Sequence, residues 1–175
     1  RETAELNRYF FLPEELQMPT ESIASFAARH SVFYPHFNQE EFKLNLEELK
    51  INRKQKLSSV SYGQQKKAML AYAFALHTPY ILLDEPTSFL DLPNRYELCT
   101  LLRRLAHDHR KCILFSTHEL DIALSLCDSI ALIDPPVLRY LPTPDMACSG
   151  YIERLFSNSF VTFDTESGTI KSASN

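Results

Sequence analysis

Two adjacent acids, Asp84 and Glu85, close an apolar run that begins at Tyr80 and reads YILLDE. Apolar residues without alternation predict a strand that is covered on both faces, as in a parallel sheet. In open α/β sheets, ligands bind beyond the carboxyl ends of such strands. One carboxylate there can hold Mg²⁺, which prefers oxygen ligands, and its neighbour can orient or deprotonate a water. Two solvated acids in a strand-end turn are the alternative interpretation, and the pair alone does not exclude it.

A second group of residues, Ser61, Gly63 and Gln64, begins a predicted helix. Ser61 is a favourable N-cap, and Gln64 three residues later completes a capping box. Gly63 adds no side-chain bulk beside the N–H groups of the first turn. Because the N-terminus of a helix attracts anions, this turn is suited to a phosphate. Read alone, the same residues also fit an ordinary helix cap.

His118 follows Ser116 and Thr117 at the end of the next predicted strand. A histidine beside Asp84 and Glu85 could hydrogen-bond a terminal phosphate or position water. Taken by itself, His118 is more typical of a strand-end histidine without a catalytic role.

Together these residues resemble the ATP-binding cassette (ABC) ATPase family. The resemblance covers residues from about Arg8 to Pro135 and rests on four motifs that occur in the family's order. These are residues 60–64 (VSYGQ, similar to the LSGGQ signature), 80–85 (the Walker B strand with the catalytic glutamate), 88–91 (SFLD, similar to the D-loop) and 117–119 (THE, similar to the switch histidine).

The resemblance implies a role for each matched residue in ATP hydrolysis. Glu85 would polarise the attacking water, His118 would contact the γ-phosphate, and Asp84 would position Mg²⁺ through water. The residues placed at the nucleotide are Ser61, Gly63, Gln64, Asp91 and Glu14. In such a family member the ATP lies between one subunit's phosphate loop and the partner subunit's signature helix, so a head-to-tail dimer is expected. A transmembrane permease is the second expected partner.

Several positions depart from the family pattern. Val60 replaces a leucine, and Tyr62 stands where glycine often stands. Glu14 falls where the family carries its Q-loop glutamine; by resemblance, the same replacement occurs in cassettes that drive exporters, although Glu14 could also be an ordinary turn acid.

The phosphate loop is the largest departure. The chain has only three glycines, Gly63, Gly150 and Gly168, where average usage of about 7% predicts roughly twelve. No pair of them supplies a GxxxxGK[ST] pattern. We therefore expect this chain to be the C-terminal portion of a cassette that lacks the Walker A region, and to be inactive when isolated.

The elements that carry these motifs alternate along the chain. The pattern predicts strands at 8–12, 80–84, 112–116 and 129–133. It predicts helices at 20–34, at 38–49, where Asn38 and Glu41 match a capping box, and at 65–76, 93–107 and 119–127. Such alternation indicates a parallel sheet. The resemblance implies that this sheet belongs to an incomplete P-loop NTPase core with an inserted helical subdomain. A helix at 149–156 and a C-terminal hairpin follow. The predicted divisions are 1–13 (end of a core strand), 14–60 (helical subdomain), 61–135 (signature helix and catalytic motifs) and 136–175 (helix and hairpin).

Composition narrows the choice of function. The net charge is −4, which argues against a general nucleic-acid binder. No apolar run approaches the roughly 20 residues of a membrane span, and no signal peptide is recognised. The resemblance implies a peripheral location on the cytoplasmic side of the cell membrane. The preferred interpretation is the ATPase subunit of a membrane transporter. A soluble, non-transport ABC ATPase and a non-catalytic interaction module are the alternatives.

Overall fold

The structure, a computed structural model, describes residues 7–15, 17–157, 161–164 and 169–172. Its contacts divide the chain into two compact units, Arg1–Thr117 and His118–Asn175. The finer divisions expected from the sequence, at residues 13, 60 and 135, remain predictions.

A three-stranded parallel sheet forms the centre of the first unit. Its strands are β1 (Tyr9–Leu12), β2 (Tyr80–Leu83) and β3 (Cys112–Phe115), in the order β1-β2-β3. The last residue of β2, Leu83, is paired with Leu12 on one side and Phe115 on the other. All three strands therefore end at the same level, and the residues that follow them share one edge of the sheet. This sheet confirms the predicted parallel α/β class.

Four helices accompany the sheet: α1 (Ile23–His30), α2 (Gln39–Glu48), α3 (Tyr62–Ala75) and α4 (Leu92–His109). Short 3₁₀ turns occupy Ser31–Phe33 and Leu57–Ser59. From Ala68 onward helix α3 is apolar on all sides, and every residue from Ala68 to Leu76 is at most 8% exposed. A helix with no polar face must be buried by its neighbours, and α3 is accordingly the centre of the first unit's core.

Polar side chains cap both α3 and α2, but only the cap of α3 has the predicted form. Ser61 and Gln64 form the predicted capping box at the start of α3. At α2 the Asn38 side chain accepts hydrogen bonds from the N–H groups of Glu40 and Glu41. The Glu41 carboxylate does not complete a capping box there but lies 2.6 Å from Nε2 of His77. A charged partner from another element has displaced the predicted local contact.

The two faces of the sheet differ in burial. Phe10, Leu12, Ile81 and Leu83 are buried against the helices. On the opposite face Phe11 is 59% exposed and Leu114 is 58% exposed, and Cys112 is exposed as well; the other strand residues of that face are Tyr9, Tyr80 and Leu82. The sequence predicted that β2 is covered on both faces; in the described residues its second face is only partly covered, with Tyr80 and Leu82 half-buried between exposed residues of β1 and β3. Hydrophobicity indicates that a residue can be buried, but only the packed elements decide whether it is.

The second unit has a small core of its own. Its elements are α5 (Leu120–Leu126), β4 (Ser129–Asp134), β5 (Val137–Pro142), α6 (Thr143–Cys148), α7 (Tyr151–Phe156), β6 (Val161–Asp164) and β7 (Thr169–Ser172). Leu132, Met146, Ile152 and Phe163 form the buried cluster. Strands β6 and β7 pair antiparallel, which confirms the predicted C-terminal hairpin; its predicted turn, residues 165–168, lies outside the described residues.

The sequence pattern predicted that β4 joins a parallel sheet with β2 and β3. Among the described residues it does not. It pairs antiparallel with β5 along its whole length, from Ser129 opposite Pro142 to Asp134 opposite Val137. Only Pro135 and Pro136 connect the two strands. Because a two-residue link can join antiparallel strands but is too short for a parallel crossover, the local connection determines the pairing. Within the described residues, no helix is long and apolar enough to cross a membrane.

Candidate functional site

The acidic pair lies at the carboxyl edge of the parallel sheet. Asp84 and Glu85 follow β2 directly, and Ser116 follows β3 at the corresponding position. The Ser116 hydroxyl donates a 2.7 Å hydrogen bond to Oδ1 of Asp84 and accepts a 3.0 Å bond from the backbone N–H of Glu85. One serine thus orients both the first acid and the backbone of the second. Asp84 is exposed and Glu85 is half-buried, so the two carboxylates have different environments despite being adjacent.

The segment after β2, residues 84–91, forms a tight loop that we call the acidic loop. Two of its non-glycine residues, Glu85 (φ 41°) and Phe89 (φ 60°), have left-handed backbone conformations. Such conformations are costly for residues with a Cβ and persist only where surrounding contacts impose them. Inside the loop the N–H of Ser88 bonds the Glu85 carbonyl at 3.0 Å, and the N–H of Leu90 bonds the Thr87 carbonyl at 3.2 Å.

The N-terminus of α3 packs directly against the acidic loop. A Cβ added to Gly63 would lie 3.3 Å from Cδ2 of Leu90, closer than most side-chain contacts. Next to it the rings of Tyr62 and Phe89 meet edge to face, with centroids 5.5 Å apart. The absence of a side chain at Gly63 therefore permits this close packing, in addition to leaving the helix terminus open.

Ser61 serves the backbone of α3. Its hydroxyl accepts from the N–H of Gln64 at 3.3 Å, and the Gln64 amide oxygen accepts from the N–H of Ser61 at 3.2 Å. A hydroxyl that accepts one bond retains a proton to donate. Ser61 can therefore cap the helix and still donate to an anion.

Glu14 approaches the same helix from the segment after β1. Its backbone carbonyl accepts a hydrogen bond from the Tyr62 hydroxyl. Burial raises the pKa of Tyr62, and the negative charges of Glu14 and then Glu15 raise it further, whereas a hydrogen bond with Ser88 lowers it. The first unit therefore gathers carboxylates from two strand ends around the start of α3.

Two predicted site residues remain, Asp91 and His118. Asp91 is the N-cap of α4, and its Oδ1 accepts from the N–H and the side-chain amide of Asn94 at 3.1 and 2.6 Å. Asp91 therefore has a structural task in this chain. His118 is exposed in the loop before α5 and belongs to the second unit. Its role at the phosphate stays a prediction.

The part of the chain that the structure describes contains no group of three or more His, Cys, Asp or Glu side chains that could hold a metal ion by themselves. The oxygen donors at the sheet edge are Asp84, Glu85 and Ser116. A hard cation that keeps several waters and takes phosphate oxygens needs only one or two protein carboxylates. These donors therefore suit Mg²⁺ accompanied by a phosphate ligand, and do not suit a metal held by protein ligands alone.

Two residues of this site were not identified from the sequence. In the sequence, Ser116 is apparent only as a neighbour of His118. Its position beside Asp84 follows once β2 and β3 are paired. Lys66 has a buried ammonium group beneath the acidic loop. Lys66 lies among the polar residues Gln64, Gln65 and Lys67 in the first turns of α3, so no local signal distinguishes it, and its burial follows only from the packing of α3 against the acidic loop.

Comparison with known proteins gives one family match: the family described as ABC transporter matches residues 5–88. An uncharacterised ABC transporter ATP-binding protein of Methanocaldococcus jannaschii is 42% identical over 74 residues, which are 42% of this chain and 26% of the relative. The achromobactin transport ATP-binding protein of Dickeya dadantii is 36% identical over 77 residues, covering 44% of this chain and 29% of that protein. The matched segment thus spans about a quarter of the length of these relatives.

Solved structures agree in fold. An inward-facing ABC transporter of the metal-chelate type superposes with a TM-score of 0.69 at 25% identity, over 79% of this chain and 59% of that chain. The ATP-binding subunit of another ABC transporter gives a TM-score of 0.70 at 20% identity, over 85% of this chain and 64% of that chain. At this identity the second match supports the fold alone.

Proposed function

The chain belongs to the ABC transporter ATPase family, and from this premise we propose that it is the part of a transporter's ATP-hydrolysing subunit that contributes the catalytic carboxylates. The observation that carries the proposal is the arrangement of Asp84 and Glu85 at the carboxyl edge of the parallel sheet, both hydrogen-bonded to Ser116, beside the capped N-terminus of α3. Catalysis of phosphoryl transfer depends mainly on positioning and charge stabilisation, and this arrangement is suited to both.

The two carboxylates have separate tasks in this proposal. Glu85 orients and polarises the water that attacks the γ-phosphate of ATP. Asp84, oriented by Ser116, holds Mg²⁺ through a bound water. When bound, Mg²⁺ neutralises charge on the phosphate oxygens. His118 hydrogen-bonds the γ-phosphate, and Glu14 lies beside the nucleotide.

The start of α3 would act on the ATP of a second subunit. Ser61 donates its hydroxyl proton to a phosphate oxygen while it continues to accept from Gln64, and the first turn at Gly63 adds backbone N–H groups and the favourable end of the helix dipole. Asp91 fixes the acidic loop to α4 near the same interface. Two subunits therefore assemble head to tail, and ATP binding favours the closed dimer.

The 175 residues contain no pattern that matches a phosphate loop, which this proposal also requires. We propose that residues outside these 175 contribute it. The chain by itself is then expected to bind Mg-ATP weakly, because few donors remain for the β-phosphate. Isothermal titration calorimetry of the chain with Mg-ATP tests this expectation, and micromolar binding would exclude it.

The transporter partner is a transmembrane permease, which the chain contacts from the cytoplasmic side of the membrane. The helical part of the first unit, roughly residues 14–57, transmits closure to it. The relatives support uptake as the direction of transport. A cobalamin import ATP-binding protein of Halobacterium salinarum is 30% identical over 105 residues, covering 57% of this chain and 26% of that protein. In permease-containing vesicles whose ATPase faces outward, an importer moves its compound out of the lumen when ATP is added outside. ATP-dependent loss of a preloaded compound would therefore support uptake, and ATP-dependent accumulation would contradict it. Protease protection establishes the orientation of the ATPase.

Replacement of Glu85 by Gln tests the catalytic assignment in a protein that joins these residues to a phosphate loop. The substitution keeps the shape of the side chain and removes its charge. Hydrolysis should fall by about 10² to 10⁴-fold, the usual range for loss of a general base, while ATP binding persists. The ATP-bound dimer should then accumulate on size-exclusion chromatography, since cleavage no longer releases it. Hydrolysis at near the wild-type rate would show that Glu85 is only a strand-end acid.

A further inference from the structure

Lys66 is a buried cation with a complete set of acceptors. It lies on α3 one turn after Tyr62, and the residue is 1% exposed. Its Nζ lies 2.9 Å from the backbone carbonyl oxygen of Glu85, 3.4 Å from that of Ser88 and 3.2 Å from the Ser88 hydroxyl. An ammonium group has three N–H donors, and here each of them has an acceptor in the acidic loop. Lys66 therefore connects α3 to the loop that carries Glu85.

These contacts fall within the strained part of the acidic loop. Glu85 and Phe89, whose left-handed conformations are unfavourable for residues with a Cβ, flank the segment that Lys66 contacts. The carbonyl of Glu85 accepts both from Lys66 and from the N–H of Ser88. Without the lysine, the loop would retain its short internal bonds and its packing against Tyr62 and Gly63, but it would lose the three polar contacts that its Glu85 and Ser88 make with the ammonium group.

We propose that Lys66 is a positioning residue: its ammonium group holds the acidic loop in its left-handed conformation and thereby directs the Glu85 side chain. The role of the Glu85 carboxylate in this statement rests on the proposed function. The contact between Lys66 and the acidic loop does not depend on the proposed function, and its effect on the loop can be measured without nucleotide.

The surroundings of Lys66 explain why a cation is tolerated there. Carboxylates from both neighbouring strand ends, Glu14, Asp84 and Glu85, favour the charged form. The ring of Tyr62 lies beneath the ammonium, with Nζ 4.9 Å from its centroid, a favourable cation–π geometry. Burial outweighs the carboxylates and lowers the pKa of Lys66 to about 8, so the group is still largely charged at neutral pH.

A lysine suits this position better than an arginine would. Its compact ammonium reaches three acceptors that are spread over two residues of one tight loop, whereas a guanidinium is planar and presents its donors in a rigid fork. The contact between Lys66 and the acidic loop thus depends on the geometry of the ammonium group as well as on its charge.

The experiment is amide hydrogen exchange on the 175-residue chain with Lys66→Met, which keeps the length of the side chain and removes its donors. Lys67→Met is the matched control, since Lys67 is the next residue of α3 and pairs with Glu97, outside the acidic loop. The Ser88 and Leu90 amides should exchange at least about tenfold faster in Lys66→Met. Amides of β2 in the same variant, and the loop amides of Lys67→Met, should change by less than about twofold. Unchanged exchange of Ser88 and Leu90 in Lys66→Met would overturn the proposal.

A second measurement uses the unmodified chain, so that a variant that fails to fold does not end the test. Reductive methylation in native buffer, followed by peptide mass spectrometry, should modify Lys66 more slowly than Lys67 by at least about tenfold, because modification requires the loop to open. Equal methylation rates for Lys66 and Lys67 would contradict a stable contact between Lys66 and the acidic loop.

Hydrolysis separates this proposal from the proposed function. In the protein with a phosphate loop, Lys66→Met should lower kcat by at least about tenfold and leave KM for Mg-ATP within about twofold, the pattern expected when a transition-state contact is misplaced. If Glu85→Gln has no effect on hydrolysis, the proposed function fails while the exchange result still decides the role of Lys66. If loop exchange is unaffected, the positioning role fails whatever the hydrolysis assay shows.

Discussion

Ser116 donates a hydrogen bond to Asp84 across two neighbouring strand ends, with 2.7 Å between Oγ and Oδ1. The same Oγ accepts from the N–H of Glu85 at 3.0 Å. A residue outside the recognised motifs thus orients both acids. Hydrogen bonds to charged groups contribute more to stability than those between neutral groups, so this serine should matter for activity even though it touches no reacting atom.

Replacement of Ser116 by Ala should therefore reduce ATP hydrolysis in a protein with a phosphate loop by about tenfold and raise the Mg²⁺ concentration needed for half-maximal rate. Loss of the bond lets the Asp84 carboxylate rotate away from its position. Ser59→Ala is a suitable control, because the Ser59 hydroxyl donates to the local carbonyl of Lys56 and lies in a different segment from the acidic pair. A normal Mg²⁺ dependence in Ser116→Ala would contradict the orienting role.

Replacement of Asp84 by Asn should differ from Glu85→Gln. It removes the charge proposed to hold Mg²⁺, so hydrolysis and the nucleotide-dependent closed dimer should be lost together. Phosphate release measured beside size-exclusion chromatography in Mg-ATP distinguishes the two variants. A closed dimer that persists in Asp84→Asn would assign the metal to another group.

Tyr72 and Tyr62, both on α3, should respond in opposite directions to replacement by Phe. Tyr72 is 2% exposed, and in the described part of the chain its hydroxyl has no hydrogen-bond partner. Five aromatic rings surround it at centroid distances of 5.5 to 6.4 Å: Phe10, Phe26, Tyr34, Phe37 and Phe42. Removing an unsatisfied buried hydroxyl should raise the free energy of unfolding by about 1 kcal/mol.

The Tyr62 hydroxyl, in contrast, donates to the Glu14 carbonyl. Tyr62→Phe should therefore lower the free energy of unfolding by about 1 kcal/mol. Urea titrations followed by circular dichroism compare the two variants. Destabilisation by Tyr72→Phe of the same size would indicate that its hydroxyl has a partner.

Gly63→Ala tests the close approach of α3 to the acidic loop. Alanine is favoured over glycine in a helix by up to about 1 kcal/mol, but its Cβ would lie 3.3 Å from Cδ2 of Leu90. The substitution should be unfavourable beside Leu90 and become favourable in a Leu90→Ala background. We expect a coupling free energy of about 0.5 to 1 kcal/mol in the double-mutant cycle. Additive effects would show that Leu90 does not restrict residue 63.

The buried ammonium of Lys66 should produce a pH dependence of stability with a defined sign. Its pKa is about 8 in the folded chain, against a model-peptide value of 10.5. Between these values the unfolded chain binds more protons than the folded chain, so the free energy of unfolding rises with pH. The difference between wild type and Lys66→Met should therefore increase in favour of wild type, by up to roughly 3 kcal/mol, as pH rises from about 8 to 10.5.

Taking the difference between the two proteins removes the contributions of groups that titrate in both. Tyr72, for example, has its pKa raised by burial, and the unfolded chain loses that proton first at high pH, which lowers stability there in both proteins. Urea unfolding at several pH values gives the curves. Parallel curves for wild type and Lys66→Met would show that burial does not lower the pKa of Lys66.

Local sequence patterns determined much of the fold and most of the candidate site. The capping pair Ser61 and Gln64 and the buried helix α3 were predictable because caps and apolar periodicity act over a few neighbouring residues. The carboxylates Asp84 and Glu85 were identifiable because their strand ends abruptly in acids. In each case the physical cause lies within one turn or one strand of the residue concerned.

Tertiary structure alone decided the remainder. The sequence placed Lys66 on a helix, but only the packing of α3 against the acidic loop supplies its three acceptors. Pairing of β2 with β3 brings Ser116 to Asp84, 32 residues away along the chain. The pairing of β4 with β5 and the exposed side chains of Phe11 and Leu114 likewise depend on which elements meet. Contacts between residues distant in sequence form only when the chain closes around them, so no local pattern can encode them.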